Sequence, residues 1–387
     1  MSERHPLLVR IGLSYFEALH QKAPRSQEAA ADAIHYLNPE ERKALRQIER
    51  GAILRAAIAG ALSSVVAAVV EVVIAQPLLG PRPRYATMDQ SIRFYAVVGV
   101  ATAIAALLEI LYLYWDGLRA VHHLSRAAGL DLFPEQDDNK ALAAAMARAA
   151  LELPNPNTAA EVAVNPWREA SRIRLFIASI VYKAKVSATN FIVKALIRRA
   201  FGRAFVRSWL PFVAVPITAA WNAWICWLIM REARIRAMGP SAIQEMTSMV
   251  FENPESDASV LSAEARAVVV RAVASSIVRT EDMHPNLLAL LKDVTRRMRL
   301  EPNEAPDLDD TRAFLSALAK LSKPEQTLVL RVLSIASIVD GRLTRAERRL
   351  LREASEACGR EVDLSSTERL RRAFVDGAAI QELVARI

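Results

Sequence analysis

Two carboxylates near the C-terminus, Asp340 and Glu347, have the chemistry and the spacing of candidate ligands for a divalent metal ion. They lie in the stretch SIVDGRLTRAERRLL, which begins at Ser337. The same residues also fit a purely structural role. A glycine such as Gly341 is typical of a helix end, and Thr344 followed three residues later by glutamate is typical of a capping box. We favour the capping interpretation and keep a divalent metal at Asp340 and Glu347 as the alternative.

This stretch belongs to an internal repeat. The sequence from Leu261 aligns without gaps with the sequence from Leu321, and the shared apolar positions predict a helix, a turn and a second helix in each copy. In the first copy the two acidic positions are occupied by Thr280 and Leu287, which excludes a metal site shared symmetrically by both copies. The capping pattern itself is predicted at two further places: Ser322 with Glu325, and Ser365 with Glu368.

Two apolar segments, residues 56–79 and 94–115, are each long enough to cross a membrane as a helix, since about 20 residues suffice. The loop between them is short and contains Pro and Gly, which predicts an antiparallel hairpin. The basic residues that precede the first segment favour a cytoplasmic N-terminus. A pair of buried helices in a large soluble domain is the alternative.

Each predicted span contains a carboxylate, Glu71 in the first and Glu109 in the second. A charge inside a bilayer is costly, so such a residue is a functional hypothesis by default. An antiparallel hairpin places the two at different depths, about 10 Å or more apart at about 1.5 Å per residue, so they cannot simply share a proton. Each could pair with a basic residue further along the chain or meet its copy in an oligomer. Ion or proton conduction is the sharper alternative.

A strongly basic block follows. Residues 172–236 contain twelve Lys and Arg against the single acid Glu232, although the whole chain has a net charge of only +8. Apolar runs interrupt the block, which favours a membrane surface over nucleic acid as its partner. Five residues are predicted to contact anionic lipid headgroups: Lys194, Arg198, Arg199, Arg203 and Arg207.

The apolar run 209–230 within this block is also long enough to cross a membrane. Prolines in its early part and tryptophans in its later part favour a re-entrant or in-plane segment instead. A third span following the hairpin would place the charged C-terminal region outside the cytoplasm.

Two family resemblances follow from these stretches. VLRVLSIASIVDGRLTRAERRLLREASEACG resembles the TerB-like helical domain of tellurite-resistance proteins and of some membrane-anchored J-domain co-chaperones, over about the last 70 residues. This resemblance implies that Asp340 and Glu347 contact a metal or a partner. LRAVHHLSRAAGLDL, together with IRRAFGRAFVRSWLPFVAVPITAAWNAWICWLIMREARIRA, resembles the EcsC family of bacterial membrane-associated proteins. That resemblance implies that Pro211 and Asn222 are the matching family positions.

The sequence contains none of the local motifs that mark common enzymes. It has no Gly-rich phosphate loop, no His-Glu-x-x-His, no Cys-x-x-Cys and no Gly-x-Ser-x-Gly. The two cysteines suit a reduced cytoplasm without a disulfide framework. We therefore expect a protein that is not an enzyme and has no cofactor, apart from the metal alternative above.

Together these patterns predict an all-α protein, in which a membrane hairpin and basic membrane-associated helices precede a soluble bundle of two related helix hairpins. The predicted parts are amphipathic N-terminal helices (1–55), a transmembrane hairpin (56–115), an amphipathic helix and linker (116–170), basic and re-entrant helices (171–238) and a TerB-like domain (239–387).

The expected function is that of a scaffold or sensor in the bacterial inner membrane, with its soluble domain in the cytoplasm. We expect it to contact anionic lipid headgroups and a cytoplasmic protein partner, not nucleic acid, in an envelope or stress response. A homo-oligomer is left open. The alternative is an oligomeric channel or an exporter-accessory protein that uses Glu71 and Glu109.

Overall fold

The computed structural model describes residues 7–22, 38–80, 87–130, 132, 140–153, 155, 164–168, 210–252, 256–300 and 307–378. Within these ranges every regular element is a helix, so the predicted all-α class is confirmed. The described α-helices are α1 (Leu7–Lys22), α2 (Pro39–Val69), α3 (Met88–Ala127), α4 (Lys140–Ala150), α5 (Leu210–Phe251), α6 (Ala263–Thr280), α7 (Pro285–Arg297), α8 (Thr311–Leu318), α9 (Lys323–Ala336), α10 (Arg345–Ala357) and α11 (Leu364–Asp376).

The chain divides into two compact units. The hairpin unit comprises residues 46–123 and 172–231, and the repeat unit comprises residues 1–45, 124–171 and 232–387. The hairpin unit therefore contains most of α2, most of α3 and the first half of α5. The repeat unit contains the two sequence repeats together with α1 and α4.

Two helical stretches among the described residues are long and apolar enough to cross a membrane, Pro39–Leu79 and Met88–Ala127. Only 17% of the most apolar window of the first and 11% of that of the second are buried within the protein. The core helix of a soluble protein would instead bury most of such a window. The lengths, the composition and the exposed apolar faces fit the predicted membrane hairpin.

The end of α2 changes its helical geometry. The α-helix continues as a wider π-helical turn over Val70–Ala75 and then as a 3₁₀ turn over Gln76–Leu79. Pro77 lies in this 3₁₀ turn, and proline cannot donate the backbone hydrogen bond that a regular α-helix requires there. The local change of pitch accommodates the proline. Gly80 then ends the helix with a left-handed φ of 75°.

The third apolar run forms part of one continuous helix, because α5 extends over 42 residues from Leu210 to Phe251. Pro211 lies at the start of the described part of this helix, and its backbone is helical. Pro216 lies further inside and does not end the helix. The predicted interruption of this segment by proline is therefore wrong, while its path relative to a membrane stays a prediction.

In the repeat unit, α6 contacts α7, α8, α9 and α10. The first repeat consists of α6 and α7, and the second consists of α9 and α10, as predicted for each copy. Buried Leu290 and Leu291 of α7 correspond to buried Leu350 and Leu351 of α10. The repeat therefore encodes the same buried face twice.

One glutamate caps the first helix of both repeats. Glu325 Oε2 accepts hydrogen bonds from Ser322 N at 3.0 Å and Ser322 Oγ at 2.7 Å, at the start of its own α9. Its other oxygen, Oε1, accepts from Ser262 N at 3.2 Å and Ser262 Oγ at 2.8 Å, at the start of α6. The predicted capping box at Ser322 is confirmed, and the same carboxylate joins the two helix N-termini.

The predicted capping box at Ser365 is wrong. Helix α11 begins at Leu364, and its cap is Asp363, whose Oδ1 accepts from the backbone N–H groups of Ser365 and Ser366 at 3.0 Å each. Because the cap lies two residues earlier than predicted, Glu368 is too far along the helix to complete a capping box. It pairs instead with Arg371, at 2.7 Å.

Candidate functional sites

The hairpin unit contains a buried polar contact between two of the predicted site residues. Asn222 Nδ2 of α5 donates a hydrogen bond of 2.7 Å to Glu109 Oε1 of α3. Both residues are buried, with exposed fractions of 5% and 4%. The sequence proposed a basic residue of the 183–207 block or a second copy as the partner of Glu109. That block lies outside the described residues, and the partner seen among the described residues is an amide. Glu109 Oε2 is also buried and has no hydrogen-bond partner among the described residues.

Close packing between α2 and α5 surrounds this contact. Ser64 Oγ and Thr218 Oγ1 lie 2.5 Å apart, and Thr218 Oγ1 donates towards Gly60 O at 3.1 Å. A Cβ atom on Gly60 would lie 2.6 Å from Asn222 Nδ2 and 2.8 Å from Thr218 O. Only glycine fits here, because real Cβ atoms do not approach other atoms so closely. The small residue brings the two helices together, as is common between membrane helices.

These contacts fix the directions of the three helices. Thr218 contacts Ser64 and Gly60, whereas Asn222, one turn later on α5, contacts only Gly60 among the α2 residues above. Helix α5 therefore runs antiparallel to α2. Arg55 Nε donates to Asp116 Oδ1 at 2.8 Å and likewise places the middle of α2 beside the later half of α3. Residues 46, 123 and 231 consequently lie at one end of the hairpin unit.

Aromatic side chains cluster towards this same end. Trp115 precedes Asp116 and lies under the Arg119 guanidinium, 5.6 Å from the ring centroid. On α5, Trp224 and Trp227 follow Asn222 and are about half exposed, at 50% and 46%. Exposed tryptophans beside arginines are typical of the boundary between lipid and water.

Glu71 lies far from the Glu109 contact along α2. It falls in the π-helical turn, eleven residues beyond Gly60, which packs against Asn222. At about 1.5 Å per residue this separation is about 16 Å. The prediction that the two glutamates lie at different depths agrees with this geometry. Glu71 is half-buried and makes contacts of its own.

The second predicted pair, Asp340 and Glu347, is buried in the repeat unit, with exposed fractions of 4% and 0%. Glu347 Oε2 accepts from Thr344 N at 2.7 Å, and Thr344 Oγ1 accepts from Glu347 N at 3.2 Å. Asp340 Oδ1 accepts from Arg342 N at 2.8 Å. Gly341 has the predicted left-handed conformation, with a φ of 75°. The predicted capping box of Thr344 and Glu347 is therefore confirmed, whereas Asp340 accepts its hydrogen bond within the turn that precedes α10.

Burial makes Glu347 an unusual cap. Loss of solvent, and then the neighbouring charge of Asp340, raise the pKa of Glu347 to about 8, so this residue holds a proton at neutral pH. Burial also raises the pKa of Asp340. Within the described ranges Glu347 Oε1 has no hydrogen-bond partner, and neither has the buried Ser276 Oγ, which is close enough to oppose part of the rise in pKa. A neutral Glu347 avoids burying a second negative charge near Asp340.

The metal alternative gains no further ligand from the described residues. Nowhere in the described ranges do three or more His, Cys, Asp or Glu side chains form a group that could hold a metal ion. A divalent metal at Asp340 and Glu347 stays a prediction.

The sequence did not predict a third polar cluster, which is centred on Glu232 and Arg236 at the start of the repeat-unit half of α5. Arg236 Nη2 lies 2.9 Å from Glu232 Oε1, and Arg236 Nη1 donates to Ala145 O at 2.6 Å. His284 Nε2 lies 3.1 Å from Glu232 Oε1, while its Nδ1 accepts from Asn286 N at 3.2 Å. Although burial opposes ionisation, the hydrogen bond from His284 and the charge of Arg236 hold the pKa of Glu232 well below its usual range. In the sequence, Glu232 is the only acid of the basic block, and this was the one feature that could have indicated the cluster.

The remaining predicted positions gain less from the structure. The five lipid-contacting candidates, Lys194, Arg198, Arg199, Arg203 and Arg207, lie outside the described residues. The backbone of Pro211 is helical. Of the two positions that the EcsC resemblance implied, Asn222 is the one with a described side-chain contact, to Glu109.

Comparison of the sequence with known protein families gave no match, and comparisons with characterised proteins and with solved structures gave none either. The EcsC-like and TerB-like resemblances therefore stay predictions.

Proposed function

We propose that the protein is a non-enzymatic scaffold or sensor of the bacterial inner membrane. The hairpin unit is the membrane anchor, and the repeat unit is presented to a protein partner in the cytoplasm, in an envelope or stress response. The observation that carries the proposal is the pair of long apolar helices whose outward faces are exposed, while the polar side chains Ser64, Thr218, Asn222 and Glu109 point inward. Lipid is the environment in which this distribution is stable.

The helix directions support a single-sided arrangement. If α2, α3 and the first half of α5 all lie within the bilayer, their ends near residues 46, 123 and 231 emerge on the same side. The neighbouring basic residues Arg42, Lys43, Arg46 and Arg50 favour the cytoplasm for that side. A third membrane helix is then compatible with a cytoplasmic repeat unit, because α5 runs parallel to α3 rather than continuing the alternation.

The membrane anchor is tested by washing native membranes with high salt and then with alkaline carbonate. Both washes remove peripheral proteins but leave helices that span the bilayer. We expect the full-length chain to stay in the pellet after both and to be released only by detergent. Release by either wash would contradict the proposal.

One observation favours a second candidate, an oligomeric channel or exporter-accessory protein. Glu109 Oε2 is buried among the predicted membrane helices, and no residue that the structure describes donates a hydrogen bond to it. Buried ionisable groups of this kind mark ion pathways in membrane proteins. Ion flux into liposomes that is lost on Glu109→Gln and retained on Glu17→Gln, a change in α1, would support this candidate. Absence of flux from the wild-type chain would leave Glu109 with a role in helix packing.

A further inference from the structure

We propose that an exposed arginine face on α10 docks an acidic segment of a partner protein, one rich in Asp and Glu. The arginine face consists of Arg345, Arg348, Arg349 and Arg352, all of them exposed. These positions follow the i, i+3, i+4, i+7 spacing of one helix face. This inference rests on the proposed function, since it names the chemistry of the partner that the repeat unit presents itself to.

The internal repeat indicates that the fold does not require these arginines. The equivalent positions of α7 in the first repeat are Pro285, Leu288, Ala289 and Lys292. The buried faces of the two helices agree, with leucines at the matching positions. The two helices thus share a buried face and differ on their exposed face. This difference indicates that the arginine face serves binding rather than folding.

Neighbouring carboxylates hold part of the arginine face in place. Arg349 Nε lies 2.8 Å from Glu353 Oε1, and the other oxygen of Glu353 lies 3.0 Å from Arg279 on α6. Arg348 Nη2 lies 3.8 Å from Glu368 on α11. The Arg348 and Arg349 side chains are nevertheless 46% and 71% exposed. Guanidinium groups that are already positioned lose less freedom when they bind a carboxylate.

The two outer arginines leave the face with uncompensated charge. Neither Arg345 nor Arg352 forms an ion pair with any residue that the structure describes. Carboxylates are the natural counterpart, because each guanidinium can donate two parallel hydrogen bonds to one of them.

The dimensions favour a peptide segment over a lipid surface. From Arg345 to Arg352 the face extends about 10 Å, at about 1.5 Å per residue, which matches a few residues of a bound chain. Attraction to anionic lipid needs no fixed geometry. Arg348 and Arg349, in contrast, are held beside Glu368 and Glu353.

The test uses the full-length protein in nanodiscs of neutral lipid. The probe is a fluorescently labelled twelve-residue peptide of alternating Asp and Glu, and its Asn/Gln counterpart is the uncharged control. Binding is followed by fluorescence anisotropy. The test variant is the double substitution Arg345→Gln with Arg352→Gln. The matched control is Lys292→Gln with Arg296→Gln, which removes the same charge from exposed positions of α7.

We expect the acidic peptide to bind the wild type and the α7 control with similar affinity, and to bind the α10 variant about tenfold more weakly. Equal weakening in both variants would mean general charge attraction and would overturn the proposal. Absence of peptide binding would also overturn it. Binding of free anionic-lipid vesicles, lost only in the α10 variant, would assign the face to a membrane surface instead. If carbonate released the chain but the chain still bound the peptide, the proposed membrane anchor would be wrong and the proposed arginine face would stand.

Discussion

The side-chain amide of Asn222 donates a hydrogen bond of 2.7 Å to Glu109, which lies on another helix and 113 positions earlier in the sequence. Neither residue type is common in the middle of an apolar helix. The hydrogen bond between them offsets part of the free-energy cost of burying each one. The contact joins α5 to the hairpin, so that α2, α3 and α5 pack together in the described part of the hairpin unit.

Replacing Asn222 by Leu is expected to destabilise the hairpin unit, because neither oxygen of buried Glu109 then has a donor among the residues that the structure describes. We expect a loss of about 1–2 kcal/mol, the upper range for side-chain hydrogen bonds between membrane helices. A double-mutant cycle of Asn222→Leu and Glu109→Leu, measured by unfolding in detergent, isolates the pair. Additive effects of the two substitutions would contradict a direct interaction.

Gly60→Ala is expected to destabilise the protein, although alanine is the better helix former. The added Cβ would lie 2.6 Å from Asn222 Nδ2 and 2.8 Å from the backbone oxygen of Thr218. The matched control is Gly99→Ala on α3, where a Cβ meets nothing within 4 Å. The control should be neutral or stabilising by up to about 1 kcal/mol. Thermal unfolding in detergent distinguishes the two, and equal effects would argue against close packing at Gly60.

Glu347→Gln is expected to change how stability depends on pH. A pKa raised from 4.5 to about 8 means that the folded protein binds the proton more tightly than the unfolded chain does. This group therefore lowers stability progressively as the pH rises from about 4.5 to about 8, by an amount on the order of a few kcal/mol. Glutamine can still accept the Thr344 N–H bond, and it carries no charge at any pH.

We therefore expect Glu347→Gln to unfold at a higher temperature than the wild type at pH 8 and to approach it at pH 4.5. The control is Glu356→Gln, an exposed position on the same helix, which should follow the wild type across the range. A wild-type profile that Glu347→Gln leaves unchanged would mean that Glu347 is ionised in the folded protein.

Glu325→Ala is expected to cost more than the loss of one helix cap, since its two oxygens accept hydrogen bonds at the starts of both α9 and α6. A single cap contributes about 1 kcal/mol, so we expect a loss of about 1–3 kcal/mol. Glu264→Ala, an exposed change in the first turn of α6, is the control. A loss no larger than that of Ser322→Ala would show that the bond to Ser262 contributes nothing.

The sequence predicted local features of the fold well, because their causes are local. The capping box at Ser322 is seen, with Glu325 accepting from Ser322 N at 3.0 Å. The capping box at Thr344 is also seen. The predicted box at Ser365 failed because Asp363, two residues earlier, offers a competing cap with the same chemistry. Local rules alone do not decide between two adequate caps.

The candidate sites depended on contacts between distant parts of the chain. The sequence singled out Glu109 for its cost in a membrane and Asn222 for a family position, yet nothing in either stretch indicated that they meet. Similarly, prolines indicated a broken α5, while packing of Thr218 and Asn222 against α2 and α3 stabilises the helix through Pro216. The Glu232 and Arg236 cluster was missed because its partners Ala145 and His284 are far away in sequence.

Membrane topology tests the central claim most directly. Reporters that are active only inside or only outside the cytoplasm are fused after Gly80, Gly129 and Gly239 in turn. We predict an outside signal after Gly80 and a cytoplasmic signal after both Gly129 and Gly239. The reason is that residues 46, 123 and 231, where α2, α3 and α5 leave the hairpin unit, lie at the same end of that unit. Opposite signals after Gly129 and Gly239, or a cytoplasmic signal after Gly80, would contradict the membrane-anchored arrangement.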